Sequence, residues 1–312
     1  MPSAFVLHVK WFVDARGHET QYQLLLGAPV IAAFAVALAA TAVAYFVQHR
    51  IPEPAAVRAL ERFATTGALA LRVATALSLL AAAAAGWLFV PALEIDRDAI
   101  GYALLAGEVL CAVLIGLGLF TRFAAVVLAM LGVLAMVPFS LENILEQVHI
   151  LGIAVFLFVA GAGRVSLDAR WQTHRALSHR VAPAAALALL RVAMGFGIAY
   201  TALTEKLLSP ALAQALLDER TYLNVLRPLG VPDPAFVWMA GTTELVVGVV
   251  VMSGQITRPV MAVGLVLFTS TLIFFGLPEL IGHLPYYGTM LTLFIAPNAD
   301  SWHVRRALGR AA

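Results

Sequence analysis

The sequence predicts an all-α, polytopic membrane protein of about nine transmembrane helices: one leading helix and two parallel four-helix bundle repeats. Three observations carry this. Of 312 residues, 62% are hydrophobic and only 12% are charged, where a soluble domain carries roughly 25% charged residues. The apolar residues fall in long runs, many of them near the ~17–25 residues that a helix needs to cross hydrocarbon. And one helical pattern occurs twice: Gly107–Arg122 and Thr243–Arg258 each place a glutamate fourteen residues before a Thr-Arg exit, at a common offset of 136 residues. Recurrence of acid, base, terminal dipeptide and spacing points to an internal duplication.

The chain divides into three parts. Residues 1–64 hold an N-terminal segment, the first span and a linker; 65–170 are the first repeat; 171–312 are the second repeat and a C-terminal tail. Phe5–Val13 is broken by His8 and Lys10, lacks a basic stretch before it and a small-x-small site after it, and so reads as an interfacial segment with Trp11 at headgroup level rather than a signal peptide. The spans follow at 23–47, 65–90, 100–120, 123–139, 148–163, 184–204, 235–254, 258–277 and 284–298. Pro52 and Pro54 mark the linker, and 205–234 is a long connection that could lie on the membrane surface before Pro232 and Pro234 end it.

Further positions support the pairing of the two repeats. Leu71-Arg72-Val73-Ala74 matches Leu190-Arg191-Val192-Ala193 in each first helix. Gly152, Leu157, Phe158 and Ala160 match Gly288, Leu293, Phe294 and Ala296 in each last helix. The first-helix offset is 119, so the second repeat carries a 17-residue insertion between its first two helices. Four spans per repeat is an even number, so both repeats face the same way, unlike the inverted repeats of many transporters.

Orientation follows from lysine and arginine in the connections. Six lie on the N-terminal side, among them Lys10, Arg97 and Lys206, and twelve on the other, among them Arg122, Arg164 and Arg258. The basic side is expected to be cytoplasmic, with the N-terminus outside and the C-terminus inside a cell (inner or plasma) membrane. A net charge of +2 and the absence of a basic tract interleaved with aromatics argue against nucleic acid as a partner. The single cysteine, Cys111, excludes an intrachain disulfide and a C-x-x-C motif, and with them a self-contained thiol–disulfide oxidoreductase.

Arg72, Glu108, Arg191 and Glu244 lie inside apolar helices, where an unmatched charge costs roughly 2.5–3.5 kcal/mol or more. A long arginine can largely cross the axial gap to the glutamate, at about 1.5 Å of rise per residue. Arg72 is therefore expected to face Glu108, and Arg191 to face Glu244. Such pairs either glue helices together or line a polar pocket for a head group, quinone or anion. Arg122 and Arg258 read as helix C-terminal cations and topology signals. Glu142, Glu146 and His149 would share one helix face and form the most metal-like stretch, with Glu279 and His283 as the counterpart in the second repeat. The alternative is an acidic outer turn with an interfacial histidine.

These residues resemble the DoxX/DoxD-like family of small four-helix membrane proteins. The likeness rests on the first-helix arginines Arg72 and Arg191, the glutamate helix closing on Gly and Thr-Arg, the exit Gly161-Ala-Gly-Arg-Val-Ser-Leu-Asp168, and Glu205-Lys206-Leu207. It covers about residues 65–300 as two tandem units. The first repeat departs from the pattern in having no lysine after Trp87, and the second in ending without the Gly-Arg-Ser-Leu-Asp run. The resemblance implies an integral membrane subunit of a redox system, quinone-linked and coupled to sulfur or thiol oxidation through a partner protein. It implies no more than a non-catalytic or quinone-interacting part in an oxidoreductase. Its substrate would meet Arg72, Glu108, Arg191, Glu244 and Lys206, with quinone as the cofactor and a divalent metal at Glu142, Glu146, His149 and His283 as the alternative. Two other classes remain open: a carrier of small or lipid-like solutes, and a ligand-free membrane scaffold.

The topology is directly testable. Reporter fusions after Asp98 and Asp218 are expected to read outside, and fusions after Arg180 cytoplasmic; a cytoplasmic signal at Asp98 contradicts the nine-span count.

Overall fold

A computed structural model of the chain describes residues 8–171 and 182–297. The described residues are 78% helical, and their β pairing is one isolated bridge, Trp87 to Glu94. The main helices are α1 (Ala28–Arg50), α2 (Gly67–Ala85), α3 (Ala99–Leu117), α4 (Thr121–Leu134), α5 (Leu141–Glu146), α6 (Val148–Ala160), α7 (Ala184–Ala202), α8 (Pro210–Glu219), α9 (Asp233–Ser253), α10 (Thr257–Phe275) and α11 (Leu277–Ile295). Among the described residues, six helical stretches are long and apolar enough to cross a membrane: α1, α3, α9, α10, and the runs Ala55–Ala85 and Ala184–Leu207 that contain α2 and α7. α4 and α6 are shorter apolar helices. The chain is a polytopic all-α membrane protein.

Its surface is inverted relative to a soluble fold. Leu38, Val43 and Phe46 on α1, Val133 on α4 and Val266 and Ile273 on α10 point outward, while Arg72, Glu108, Arg191, Glu205, Glu244, Glu279 and His283 are buried. Lipid tails are as apolar as leucine, so packing and internal polar contacts, rather than the hydrophobic effect, hold such helices together.

Eight helices close into a ring. α2 packs on α3, α3 on α4, α4 on α6, α6 on α7, α7 on α9, α9 on α10, α10 on α11, and α11 back on α2. The first and last helices of each run of four therefore meet the other run: α6 lies against α7, and α11 against α2. Small residues permit both approaches. A Cβ on Gly152 of α6 would come 2.3 Å from the Cβ of Ala193 on α7, and one on Gly288 of α11 would come 2.9 Å from that of Ala74 on α2. One continuous apolar core draws on both runs. α1 stands outside the ring, against α9.

The two glutamate helices end alike. α3 stops at Gly118 (φ 65°) and α9 at Gly254 (φ 75°), and each next helix starts after a non-glycine residue in the same left-handed region, Phe120 (φ 46°) or Ile256 (φ 43°). Left-handed backbone costs little only for glycine. Each glycine also receives an arginine from the first helix of its run. A Cβ on Gly118 would lie 2.4 Å from an Arg72 guanidinium nitrogen, and one on Gly254 would lie 2.5 Å from the Arg191 guanidinium carbon.

Three sequence expectations are corrected. Residues 279–283 are not an outer turn: the last helix begins at Leu277, with Pro278 in its first turn, and Glu279 and His283 point into the bundle. Polar residues lower the hydropathy of this stretch, but they never face lipid. Trp11 is not an exposed anchor on the outside of the bundle; it is 9% exposed and packs on Gly282. The long connection does not lie apart on a surface: α7 continues through a π-helical turn, Leu203–Leu207, and α8 buries Leu212, Leu216 and Leu217 against Val9, Phe236 and Phe275. The C-terminal residues Trp302, Arg305, Arg306 and Arg310, and Arg175 and Arg180 between the runs, lie outside the described residues.

Two glycines separate space from backbone. Gly118→Ala combines a left-handed φ with a clash on Arg72, and is expected to destabilise by at least ~1–3 kcal/mol. Gly132, in the last turn of α4 with nothing within 4 Å, is expected to accept alanine neutrally or with a gain of up to ~1 kcal/mol. Thermal unfolding in detergent compares the two.

Candidate functional site

The buried charges gather at one end of the ring, where the N-terminal segment enters it. Lys10 Nζ donates to Glu142 Oε1 at 2.8 Å and to Glu146 Oε1 at 2.5 Å. Thr20 and Tyr22 donate to the two oxygens of Glu142, at 2.9 and 2.6 Å. Thr204 on the π turn donates to Glu146 Oε1 at 2.7 Å. One residue further, Glu205 accepts from the backbone N–H of Val9. Lys206 Nζ donates to Glu244 Oε2 at 2.8 Å, and both side chains are 5% exposed or less. The π turn has a clear local role. By widening the helix at its end, it points three successive polar residues, Thr204, Glu205 and Lys206, inward, and such turns concentrate at functional sites.

Aromatic and imidazole rings line the same space. The His8 ring stacks on Trp11 at 4.0 Å between centroids, and Trp11 lies 5.1 Å from His283. Phe268 lies 4.4 Å from His283, and His149 lies 4.1 Å from Tyr286. His283 Nδ1 is 3.3 Å from Glu279 Oε1. His8 Nδ1, both ring nitrogens of His283 and the Tyr286 hydroxyl have no hydrogen-bond partner among the described residues. Buried polar atoms are rarely left so. A cluster of them marks a place where a ligand, water or proton belongs.

The electrostatics of the entrance follow from its geometry. Burial alone would raise the Glu142 carboxyl, but hydrogen bonds from Lys10 and Tyr22 hold it below its ordinary value. Glu146 is deeper: burial, then the charge of Glu205, pushes it up to about 7 against the pull of Lys10. Burial works against the Lys10 ammonium, yet the charges of Glu146 and Glu205 more than offset it and hold the amine above its usual range. Burial, followed by Lys206 and Lys10, keeps His8 well below its ordinary value and so neutral.

No family model, no curated protein and no solved structure matches the chain. The site therefore has to be read from its own residues.

The structure rearranges the expected pairs. Arg72 does not face Glu108. Its guanidinium donates to the carbonyls of Ala162 and Val165, the latter at 2.9 Å, where the chain leaves α6. Glu108 instead accepts from the backbone N–H of Phe89 at 2.8 Å, bracing the loop after α2. Arg191 lies against Gly254, while Glu244 takes Lys206. In both runs the arginine reaches the end of the glutamate helix, and the glutamate is met from the opposite end. The two glutamates have different partners: one holds a backbone amide, the other a lysine ammonium.

The proposed metal set is also taken apart. Lys10 sits between Glu142 and Glu146, where a cation would have to be, and His149 turns to Tyr286. Among the described residues no group of three or more His, Cys, Asp or Glu side chains is arranged to hold a metal ion. Arg122 and Arg258 do not cap the helices that precede them. They open α4 and α10 and reach the ends of the last helices, Arg122 donating to Val159 O at 3.2 Å and Arg258 to Ala296 O at 2.9 Å. Sequence reasoning missed His8, Lys10 and Trp11 as site residues. Their signal was two polar residues interrupting an apolar run, which equally describes an interfacial anchor.

The pH response of the entrance can be measured. Glu146 is raised from 4.5 to about 7. Between those values the folded chain holds a proton that the unfolded chain has released, so this group makes stability fall as pH rises through that window. The apparent Tm in detergent is expected to decline from pH 5 to 7, and the Glu146→Gln variant to lose that part of the slope.

Proposed function

We propose that this protein is a membrane-embedded subunit of a redox system that binds a quinone-class substrate and exchanges protons with it, electrons coming from a partner protein. The observation that carries this reading is the sealed cluster of proton-bearing groups around Lys206–Glu244, with unpartnered nitrogens on His8 and His283 and an unpartnered hydroxyl on Tyr286. A quinone, when bound, takes up two electrons and two protons. Lys206, His283 and Tyr286 would supply hydrogen bonds to its carbonyl oxygens, Trp11 and Phe268 would flank its ring, and Glu205, Glu244 and Glu279 would store and pass protons. Cys111 is buried on α3 with its thiol on the Ala124 carbonyl, so thiol chemistry belongs to the partner.

The finer layout is part of the same proposal. The chain is a tandem duplication of a DoxX-like four-helix unit behind a leading helix, with nine spans and the N-terminus outside. The matched left-handed exits at Gly118–Phe120 and Gly254–Ile256, each under a first-helix arginine, support it. In this layout the second unit carries the chemistry and the first has become its frame.

One observation favours a second reading, a proton-coupled carrier. Two of the helices that hold the cluster are irregular: α7 runs into the π turn, and α11 carries Pro285. Interrupted helices at a polar site are a feature of transporters.

A quinone should quench Trp11 fluorescence in the purified protein. Lys206→Met alone leaves Glu205 and Glu244 without this ammonium and is expected to destabilise by ~3–5 kcal/mol. Lys206→Met with Glu244→Leu is expected to recover most of that stability and still to abolish quenching by a short-chain quinone. Unquenched parent protein defeats the redox reading. Proton-coupled solute uptake into proteoliposomes, lost in the same double variant, would then establish the carrier.

A further inference from the structure

A second polar site lies at the opposite end of the ring, where α3 ends. An open cavity of about 480 Å³ is lined by Leu69 on α2, Gly116 and Leu117 on α3, Arg72, and Arg164 and Arg170 on the segment after α6. Its floor is Arg72, 1% exposed, whose guanidinium ends are bonded to Ala162 and Val165 while its Nε has no partner. Its rim is Arg164 and Arg170, both exposed and neither in an ion pair among the described residues. One acid is close: the charge of Asp168 acts on Arg72, which leaves three arginines against one carboxylate. Asp168 spends both oxygens on the backbone N–H groups of Phe120 (2.8 Å) and Thr121 (3.0 Å), capping α4. The wall is apolar and faces outward, with Leu117 51% and Val165 58% exposed.

We propose that this cavity binds an anionic glycerophospholipid from the leaflet that meets this end of the ring. The phosphodiester sits between Arg164 and Arg170 above Arg72, and the acyl chains run down the outward faces of α2 and α3 past Leu69 and Leu117. Charge selects the head group. Three arginines converge against the single carboxylate of Asp168, whose oxygens face the backbone N–H groups of α4, so the site stays net positive, and basic pockets between spans favour anionic head groups at about 1 kcal/mol per arginine, or roughly fivefold in affinity. The apolar wall selects a lipid over a free anion, because a soluble phosphate gains nothing from Leu69, Leu117 and Val165. The lipid's place is structural as well. It covers the junction where Arg72, the end of α3 and the exit from α6 meet, 46 residues of sequence apart at Arg72 and Gly118 and joined there by side chain to backbone contacts.

The test uses the full chain, purified and delipidated in a neutral detergent, with phosphatidylglycerol and phosphatidylcholine of matched acyl chains as probes. Phosphatidylglycerol is expected to remain bound in native mass spectrometry and to raise the apparent Tm; phosphatidylcholine should do neither. Arg164→Ala and Arg170→Ala, both on exposed side chains, should each weaken phosphatidylglycerol about fivefold. Arg58→Ala with Arg62→Ala, exposed arginines elsewhere, should leave it unchanged. Equal effects of the two lipids, undiminished binding in the Arg164/Arg170 variants, or an equal loss in the Arg58/Arg62 variant would overturn the proposal. So would full displacement by inorganic phosphate at the lipid's own concentration, which would mean that the site reads the phosphate alone.

Discussion

A charge placed among apolar helices has to be met by another group, and much of this structure is arranged around that requirement. Lys206 and Glu244 meet each other at 2.8 Å with almost no solvent contact. Glu142 and Glu146, at the mouth of the same cluster, are met by a lysine from the far end of the sequence, Lys10. That one contact recruits the N-terminal segment into the fold. With Lys10 anchored, His8 and Trp11 stack inside the mouth, Val9 meets Glu205, and Val9 joins the apolar cluster under α8. Taking two ions out of water is costly, and their attraction offsets that cost only with good geometry and further hydrogen bonds. Thr20, Tyr22 and Thr204 provide those bonds here.

The two runs meet the same requirement in different ways. Each has an arginine tucked over a left-handed glycine and a glutamate ten residues before that glycine, midway along the helix. In the first run the glutamate meets only the Phe89 N–H, from a loop in which Phe89 itself is left-handed (φ 67°). In the second run the π turn delivers Lys206. The 17-residue difference in the connection after the first helix supplies α8, which covers the π turn. The helix starts after the matched exits have likewise been satisfied in different ways. Asp168, in the exit from α6, caps α4, whereas Gln48, near the end of α1, accepts from Ile256 N–H at 2.7 Å before α10. The leading helix thus takes part in capping the second of these starts.

The fold class was legible because it follows from composition and run length, which no tertiary contact can reverse. The spans were legible where both helix faces are apolar, as in α1 and α3. They were misjudged where one face is polar and turned inward, as in α11, because hydropathy averages over faces while burial does not. The identity of the important charges was legible too: Arg72, Glu108, Arg191, Glu244 and Lys206 are all buried. Their partners were not. Axial reach allowed Arg72 to approach Glu108, but backbone carbonyls at the end of α6 compete for a guanidinium, and nothing in the local sequence of α2 encodes where α6 ends. Lys10 and Trp11 were the hardest to read. Their partners are 132 and 271 residues away along the chain, at Glu142 and Gly282.

The placement of the two polar regions has a mechanical consequence. The cluster around Lys206–Glu244 is closed by a segment held through Lys10, Thr20 and Tyr22, all three converging on Glu142. Glu142 keeps its charge through the neutral range because those donors hold its carboxyl low, whereas Glu146 beneath it sits near the point of protonation. A proton arriving at the cluster therefore goes to Glu146 before Glu142, and it weakens the inner half of the Lys10 contact while leaving the outer half in place. The segment stays tethered as the inner contact loosens.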